Sequence, residues 1–167
     1  MDALVKGAAQ IERAIAIAVE AHRGQVNKVG APYILHALAV MQDLIADARE
    51  WYPHIPVYVI EAAVLHDVVE DTKYTLEDLK SRGVSTAALA VIDILTRRKG
   101  EETYMEYIRR VRDSYGWVRV IKRFDLRHNM GRLSDLPKSD AERLEYRYRV
   151  AFEALACEQD LECNMNP

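Results

Sequence analysis

The chain has 167 residues, half of them hydrophobic and 29% charged, with a net charge of −3. That balance suits one soluble domain, expected to fill residues 1–167 with its core over about 8–155, and it leaves no basic field for holding nucleic acid. No uncharged apolar run approaches a membrane span, Glu12, Arg13 and Glu20 interrupt any secretory signal, and Cys157 and Cys163 fit neither a zinc motif nor a redox pair, so a cytoplasmic protein with free thiols is expected.

From about Ala8 to His22, Ile11, Ala14, Ile15, Ala18 and His22 recur at helical spacing and predict an amphipathic helix. Arg23-Gly24-Gln25 ends it, and a short loop with Lys28 and Gly30 follows. Pro32 is read as a first-turn proline ahead of a largely buried helix from about Tyr33 to Ala48, striped with Ile34, Leu38, Met41 and Ile45. His36 lies within it; a lone histidine among apolar residues is more often a satisfied core histidine than a ligand. Residues 51–56 read as a linker, with His54 at the surface.

Pro56 opens the central stretch, Val59 to Thr72. Val64, Leu65, Val68 and Val69 make this helix apolar on most sides, but it ends in His66-Asp67 and Glu70-Asp71. Residues three and four apart share a helix face, so these four form one polar strip. Buried acids need a cation, and a divalent metal would satisfy a histidine and three acids together. A hydrogen-bonded structural pair is the plainer reading of His66-Asp67 alone.

Thr75 is expected to cap a short helix with Glu77 and Asp78 in its first turn, stopped by Gly83. A helix from about Thr86 to Arg98 buries Leu89, Ile92 and Leu95. Thr103 and Glu106 predict a capping box for a helix reaching Ser114, with Arg109, Arg110 and Arg112 on a solvated face. Gly116 is expected to break the chain. The next helix, about Trp117 to Arg132, carries Asp125 and Asn129 on one face. Ser139 and Glu142 are read as the cap of a last helix, and the tail after about Gln159 as frayed. No alternation asks for strands, so the fold is read as all-α.

His36, His66-Asp67 and Asp125 thus lie on three predicted helices and offer two imidazoles and two carboxylates. That donor set suits manganese better than a structural zinc. Here the chain resembles the HD-domain metal-dependent phosphohydrolases. More closely, it resembles the hydrolase domain of the RelA/SpoT proteins and their small stand-alone relatives, which remove the 3′-diphosphate from (p)ppGpp. The carrying residues are Ala21-His22-Arg23-Gly24-Gln25, Pro32-Tyr33-Ile34-Leu35-His36, Leu65-His66-Asp67-Val68-Val69-Glu70-Asp71-Thr72 and Asp125-Leu126-Arg127-His128-Asn129-Met130, spread over about residues 8–155.

The resemblance implies a single-domain HD-type helical bundle. It implies His36, His66, Asp67 and Asp125 as metal ligands, with Mn²⁺ the expected ion. Glu70 and Asp71 match the pair that handles water and protons, and Lys28 and Asn129 match positions that contact nucleotide. An acidic site also needs cations to admit phosphate, and Arg23, Lys28, Arg127 and Arg132 are the candidates; for Arg127 and Arg132 a solvated surface charge is the weightier reading.

Three motifs depart from the family pattern. Asn27-Lys28 stands for Arg-Lys, whose arginine packs on guanine. His36-Ala37 stands for His-Pro, and Asp125-Leu126-Arg127-His128-Asn129 stands for Asp-Arg-Leu-His-Asn. Metal-dependent phosphate-ester hydrolysis is therefore expected, with a phosphorylated nucleotide as substrate and ppGpp foremost. A nucleotidase or NADPH phosphatase of the same fold, or a non-catalytic metal- or nucleotide-binding module, are the alternatives. The length leaves no room for a synthetase domain, so no synthesis activity is expected.

Overall fold

The computed structural model describes residues 2–51 and 54–156. Its helices are α1 (Asp2–Ala21), α2 (Ile34–Trp51), α3 (Val57–Leu65), α4 (Val68–Asp71), α5 (Leu76–Ser81), α6 (Thr86–Leu95), α7 (Tyr104–Arg112), α8 (Gly116–Met130) and α9 (Lys138–Ala154), with a 3-10 turn at Leu133–Asp135 before α9. Among the described residues there is no strand; Val26 and Pro32, and Lys99 and Glu102, form isolated bridges. The all-α expectation is met. No described helix is long and apolar enough to cross a membrane. Cys157, Cys163 and the tail lie outside the described residues.

Helix α3 is the axis of the packing. Val59, Ala62, Ala63, Val64 and Leu65 are wholly buried, as a helix apolar on all sides must be. It packs against α1, α2 and α6, while α8 packs against α2 and α9. One carboxylate is buried inside this axis. Burial raises the pKa of Glu61 against hydrogen bonds from Ser85, whose Oγ and N lie 2.6 and 3.2 Å from it. Ser85 Oγ in turn accepts from Ala88 N at 3.2 Å and so caps α6. A core carboxylate thereby fixes the start of a neighbouring helix.

The capping boxes at Thr75–Asp78 and Thr103–Glu106 form as expected, and Gly83 closes α5 in the left-handed region, at φ 83°. Other boundaries differ. Helix α1 begins at Asp2, ahead of the amphipathic stripe. Pro32 precedes α2 by two residues and bridges Val26. Helix α6 stops at Leu95, because Thr96 turns extended and returns its hydroxyl to Ile92 O at 2.8 Å. Gly116 is the first residue of α8 and not a break. Helix α9 follows Pro137 with no side-chain cap, so Ser139 and Glu142 lie inside its first turns; the fixed φ of proline supplies the start. Arg110 is not on a solvated face. It is partly buried and donates to Glu102 and to the carbonyls of Ile94 and Thr96 at the end of α6. His54 is exposed.

Candidate metal centre

The central helix is not continuous. Helix α3 ends at Leu65, His66 keeps helical angles, and Asp67 turns to φ −101°, ψ −4° before α4 starts at Val68. Adjacent side chains on an unbroken helix diverge by about 100°. The joint removes that divergence and brings His66 Nε2 to 3.0 Å from Asp67 Oδ2. The other ring nitrogen, Nδ1, donates to Ala63 O at 2.7 Å, which fixes the ring and aims Nε2 into the group.

His36 from α2 and Asp125 from α8 complete the group. His36 Nε2 lies 3.4 Å from Asp67 Oδ2 and 3.2 Å from Asp125 Oδ1, and His66 Nε2 lies 3.8 Å from Asp125 Oδ1. Two ligands about 2.1 Å from one ion, at right or tetrahedral angles, are about 3.0–3.4 Å apart. Three of the four separations match that spacing, and the His66–Asp125 separation, at 3.8 Å, is wider. Both Nε2 atoms are buried and make no hydrogen bond, an arrangement that costs free energy unless a cation meets them. His36, His66 and Asp67 together could hold a metal ion, and Asp125 Oδ1 approaches that trio from the side of the two imidazoles, at 3.2 and 3.8 Å. Burial works against the charge on Asp67, and the two imidazoles outweigh it, so the carboxyl is held well below its usual range. Asp125 is held down likewise, against burial, by Lys122 and both imidazoles.

A second layer fixes these groups. His36 Nδ1 is 2.7 Å from His128 Nδ1. Burial, then the neighbouring His36 and Arg132, lower the pKa of His128; uncharged, it accepts the His36 Nδ1 proton and leaves His36 Nε2 for an ion. Lys122 Nζ donates to Asp125 Oδ2 at 2.7 Å and lies 5.1 Å from the centre of the Tyr107 ring. Asn129 Nδ2 donates to Asp125 Oδ1 at 2.5 Å. Tyr33 donates its hydroxyl to Asp67 Oδ2 at 2.5 Å and to Asp71 Oδ2 at 3.3 Å. Burial, then the charge of Asp67, raise its phenol pKa, so it stays a donor.

Glu70 and Asp71 lie one turn on, outside the four-atom group. Glu70 Oε2 accepts from Arg97 N at 3.0 Å. Lys99 Nζ is 3.2 Å from Glu70 Oε1 and 3.0 Å from Asp71 Oδ1. A cavity of about 250 Å³ opens beside His36 and Tyr33, and Lys28, Asn129 and Arg132 line it with Leu144 and Tyr148. Asn27 lines it too, but its Oδ1 accepts from Val29 N and Ala31 N within its own loop. Arg23 is exposed on the turn after α1 and does not line the cavity. Arg127 faces α2, where it pairs with Asp47 at 2.6 Å and Asp43 at 3.6 Å. Tyr33 and His128 stand within the motifs that carry the resemblance but were given no role, and Lys99 and Lys122 were not singled out; spacing offered a signal for Lys122 alone, three residues before Asp125 on one helix face.

No family model matches the chain. It is 38% identical over 149 residues to a guanosine-3′,5′-bis(diphosphate) 3′-pyrophosphohydrolase of Haemophilus influenzae, covering 83% of this chain and 20% of that protein. The bifunctional (p)ppGpp synthase/hydrolase SpoT of Escherichia coli K12 is 34% identical over 156 residues, 87% of this chain and 20% of SpoT. This chain is a homologue of the SpoT/RelA proteins. It spans about a fifth of the length of these relatives. Not every SpoT/RelA homologue is named for hydrolysis: a GTP pyrophosphokinase of Streptomyces coelicolor is 36% identical over 141 residues, 80% of this chain and 16% of its own length. Among solved structures, a metazoan SpoT ortholog described as hydrolysing ppGpp superposes with a TM-score of 0.76, over 95% of this chain and 89% of that one, at 24% identity. That likeness shows the SpoT-type fold.

Proposed function

We propose that the chain is a metal-dependent phosphohydrolase that releases diphosphate from the 3′ position of a guanosine 3′,5′-bis(diphosphate)-type nucleotide. One observation carries this reading: four donor atoms from three separate segments converge at ligand spacing, with two buried Nε2 atoms left without a hydrogen bond. The hydrolase names of its homologues support the same substrate class.

In this reading His36, His66, Asp67 and Asp125 hold the ion, and the mixed imidazole and carboxylate set favours Mn²⁺. An ion bound there lowers the pKa of its water and polarises a phosphoryl oxygen. Glu70, pinned through one oxygen by Arg97 N, accepts a proton from the attacking water. Asp71 returns a proton to the departing ribose oxygen. Tyr33 ties Asp71 to Asp67, so the acid and the ligand keep a fixed separation. Lys28 and Asn129 meet the nucleotide in the cavity. Arg23 has no part in it. Residues 8–155 act as one catalytic unit, in the cytoplasm with its nucleotide substrate.

A second reading, a nucleotidase or NADPH phosphatase, draws on Asn27, whose side chain is occupied within its own loop and offers no cation to a guanine. Release of phosphate and diphosphate from a nucleotide panel with added Mn²⁺, by the wild type and by Glu70→Gln, separates these. The proposal expects diphosphate from ppGpp, abolished in Glu70→Gln. Release only from monophosphates or NADPH would favour the second reading, and no release from any nucleotide would leave a binding module.

A further inference from the structure

Asp67, Glu70, Asp71 and Asp125 crowd the candidate centre, which meets the cavity at Tyr33, His36 and Asn129, and any phosphorylated substrate adds negative charge there. Lys122 is no remedy, since it is buried and committed to Asp125. Lys99 touches both proton-handling acids, and it belongs to a different class of ion pair: its side chain is 58% exposed, against 13% for Lys122. An ammonium half in water exchanges one anionic partner for another at little cost, because surface pairs are weak and a lysine stem is flexible.

The backbone that carries it is held. Arg98 N donates to Glu102 Oε1 at 2.8 Å, Glu102 is clamped by Arg110, and Gly100 at φ 92° makes the turn between them. The same loop fixes Glu70 through Arg97 N. So the frame of the loop stays put while the Lys99 side chain is free to change partner. Its position matters too. Tyr33 bonds Asp71 through Oδ2, on the Asp67 side, whereas Lys99 meets Asp71 through Oδ1. Lys99 thus meets the two acids through the oxygens that Tyr33 and Arg97 N leave open, while Tyr33 holds the Asp71 oxygen it shares with the ligand Asp67.

Resting on the hydrolase reading above, we infer that Lys99 is the binding site for the outer phosphate of the diphosphate being transferred. The water oxygen bonds to the phosphorus that carries ribose O3′, and the water's proton passes to Glu70. The P–O3′ bond breaks, O3′ keeps the electron pair and takes, by way of Asp71, the proton that Glu70 accepted, and the products are diphosphate and a 3′-hydroxyl. Throughout, Lys99 holds the phosphate that is not attacked and balances the charge of the two acids when it is absent.

The test compares wild type, Lys99→Met and Lys99→Arg, all at an exposed position that folding tolerates. Inhibition by inorganic diphosphate and by GDP is measured with Mn²⁺ present, alongside kcat/KM for the 3′-diphosphate nucleotide and for its 3′-monophosphate counterpart. Loss of one charge-assisted hydrogen bond predicts a roughly 10- to 100-fold weaker affinity for diphosphate and a like fall in kcat/KM on the 3′-diphosphate. The fall on the 3′-monophosphate should be clearly smaller, since there Lys99 only balances the charge of the two acids, GDP inhibition should change less than diphosphate inhibition, and Lys99→Arg should recover most of the loss. Equal losses on both substrates, or unchanged diphosphate affinity in an active Lys99→Met, would overturn the inference and leave the hydrolase reading standing. If the wild type hydrolyses neither nucleotide, the hydrolase reading fails, and calorimetric binding of diphosphate to wild type and Lys99→Met decides Lys99 independently: Lys99-dependent binding supports the site, and Lys99-independent binding or none refutes it.

Discussion

Lys122 is a lysine that periodicity gives no reason to bury, in a run reading Ile121-Lys122-Arg123-Phe124-Asp125. Its ammonium takes one oxygen of Asp125 and leaves the other facing His36. Replacing it with methionine strands a buried carboxylate, a change that typically costs about 3–5 kcal/mol. Lys122→Met should therefore unfold at clearly lower denaturant, and added Mn²⁺ should narrow the gap by replacing the missing positive charge. A gap that ignores Mn²⁺ would count against Asp125 as a ligand. His128 acts on the other side of the centre by accepting from His36 Nδ1. His128→Phe should weaken Mn²⁺ binding by roughly 10- to 100-fold, as loss of second-layer partners does, with little change in the helical circular dichroism signal; unchanged affinity would remove His128 from the site. These residues explain what was legible at this scale. His66 and Asp67 stood out because their residue types are costly on an apolar helix, whereas His36 and Asp125 joined them as ligands through the motifs of the family. Lys122, Lys99 and Tyr33 did not, because a lysine or tyrosine reads as ordinary surface or core until its neighbours across the fold are known.

At the scale of elements, sequence reading was strongest where a local rule acts alone. The boxes at Thr75 and Thr103 need only residues three apart, and both form. Thr103→Ala should cost about 1 kcal/mol of unfolding free energy; no loss would show that α7 is held by its packing on α8 and α9 instead. Ends that depend on partners were misplaced. Helix α6 stops early because Arg110 of α7 gathers the carbonyls of Ile94 and Thr96, a contact invisible in α6 itself. Both ends of α5 are tied to α1 by Glu20, whose carboxyl is lowered to about 2 by hydrogen bonds from Arg82 after the helix and Tyr74 before it. A depressed carboxylate contributes stability above its unfolded pKa and loses it as pH falls through the folded one. The difference in urea midpoint between wild type and Glu20→Gln should thus hold steady near neutrality and close between pH 4.5 and about 2. Because the pair is exposed, the difference is small; one that does not vary with pH would contradict the assignment.

For the whole molecule, the all-α architecture followed from periodicity, while the way α2, the α3–α4 joint and α8 meet did not, since contacts distant in sequence leave no local pattern. That meeting point makes the centre a cross-link. An ion held by all three segments should stabilise the fold by about 2.7 kcal/mol at a hundred times its dissociation constant, a rise of roughly 5–10 °C in Tm for a chain of this size. Thermal melts with Mn²⁺ and with a chelator should show that rise, and Asp125→Asn should lose it. Amide exchange should slow together in α2, at the end of α3 and in α8; slowing in one segment alone would mean that the others do not share the ion.

The turn at Asp67 carries a lesson for protein design. A histidine and an aspartate side by side are a poor chelate on a straight rod, since their arms splay. Grafting the dipeptide into an uninterrupted helical scaffold should yield no useful affinity for Mn²⁺, whereas grafting it with the break it makes between its two flanking helices, opposite a histidine and an aspartate on neighbouring helices, should. The break in the helix, more than the residue pair, is the transferable part.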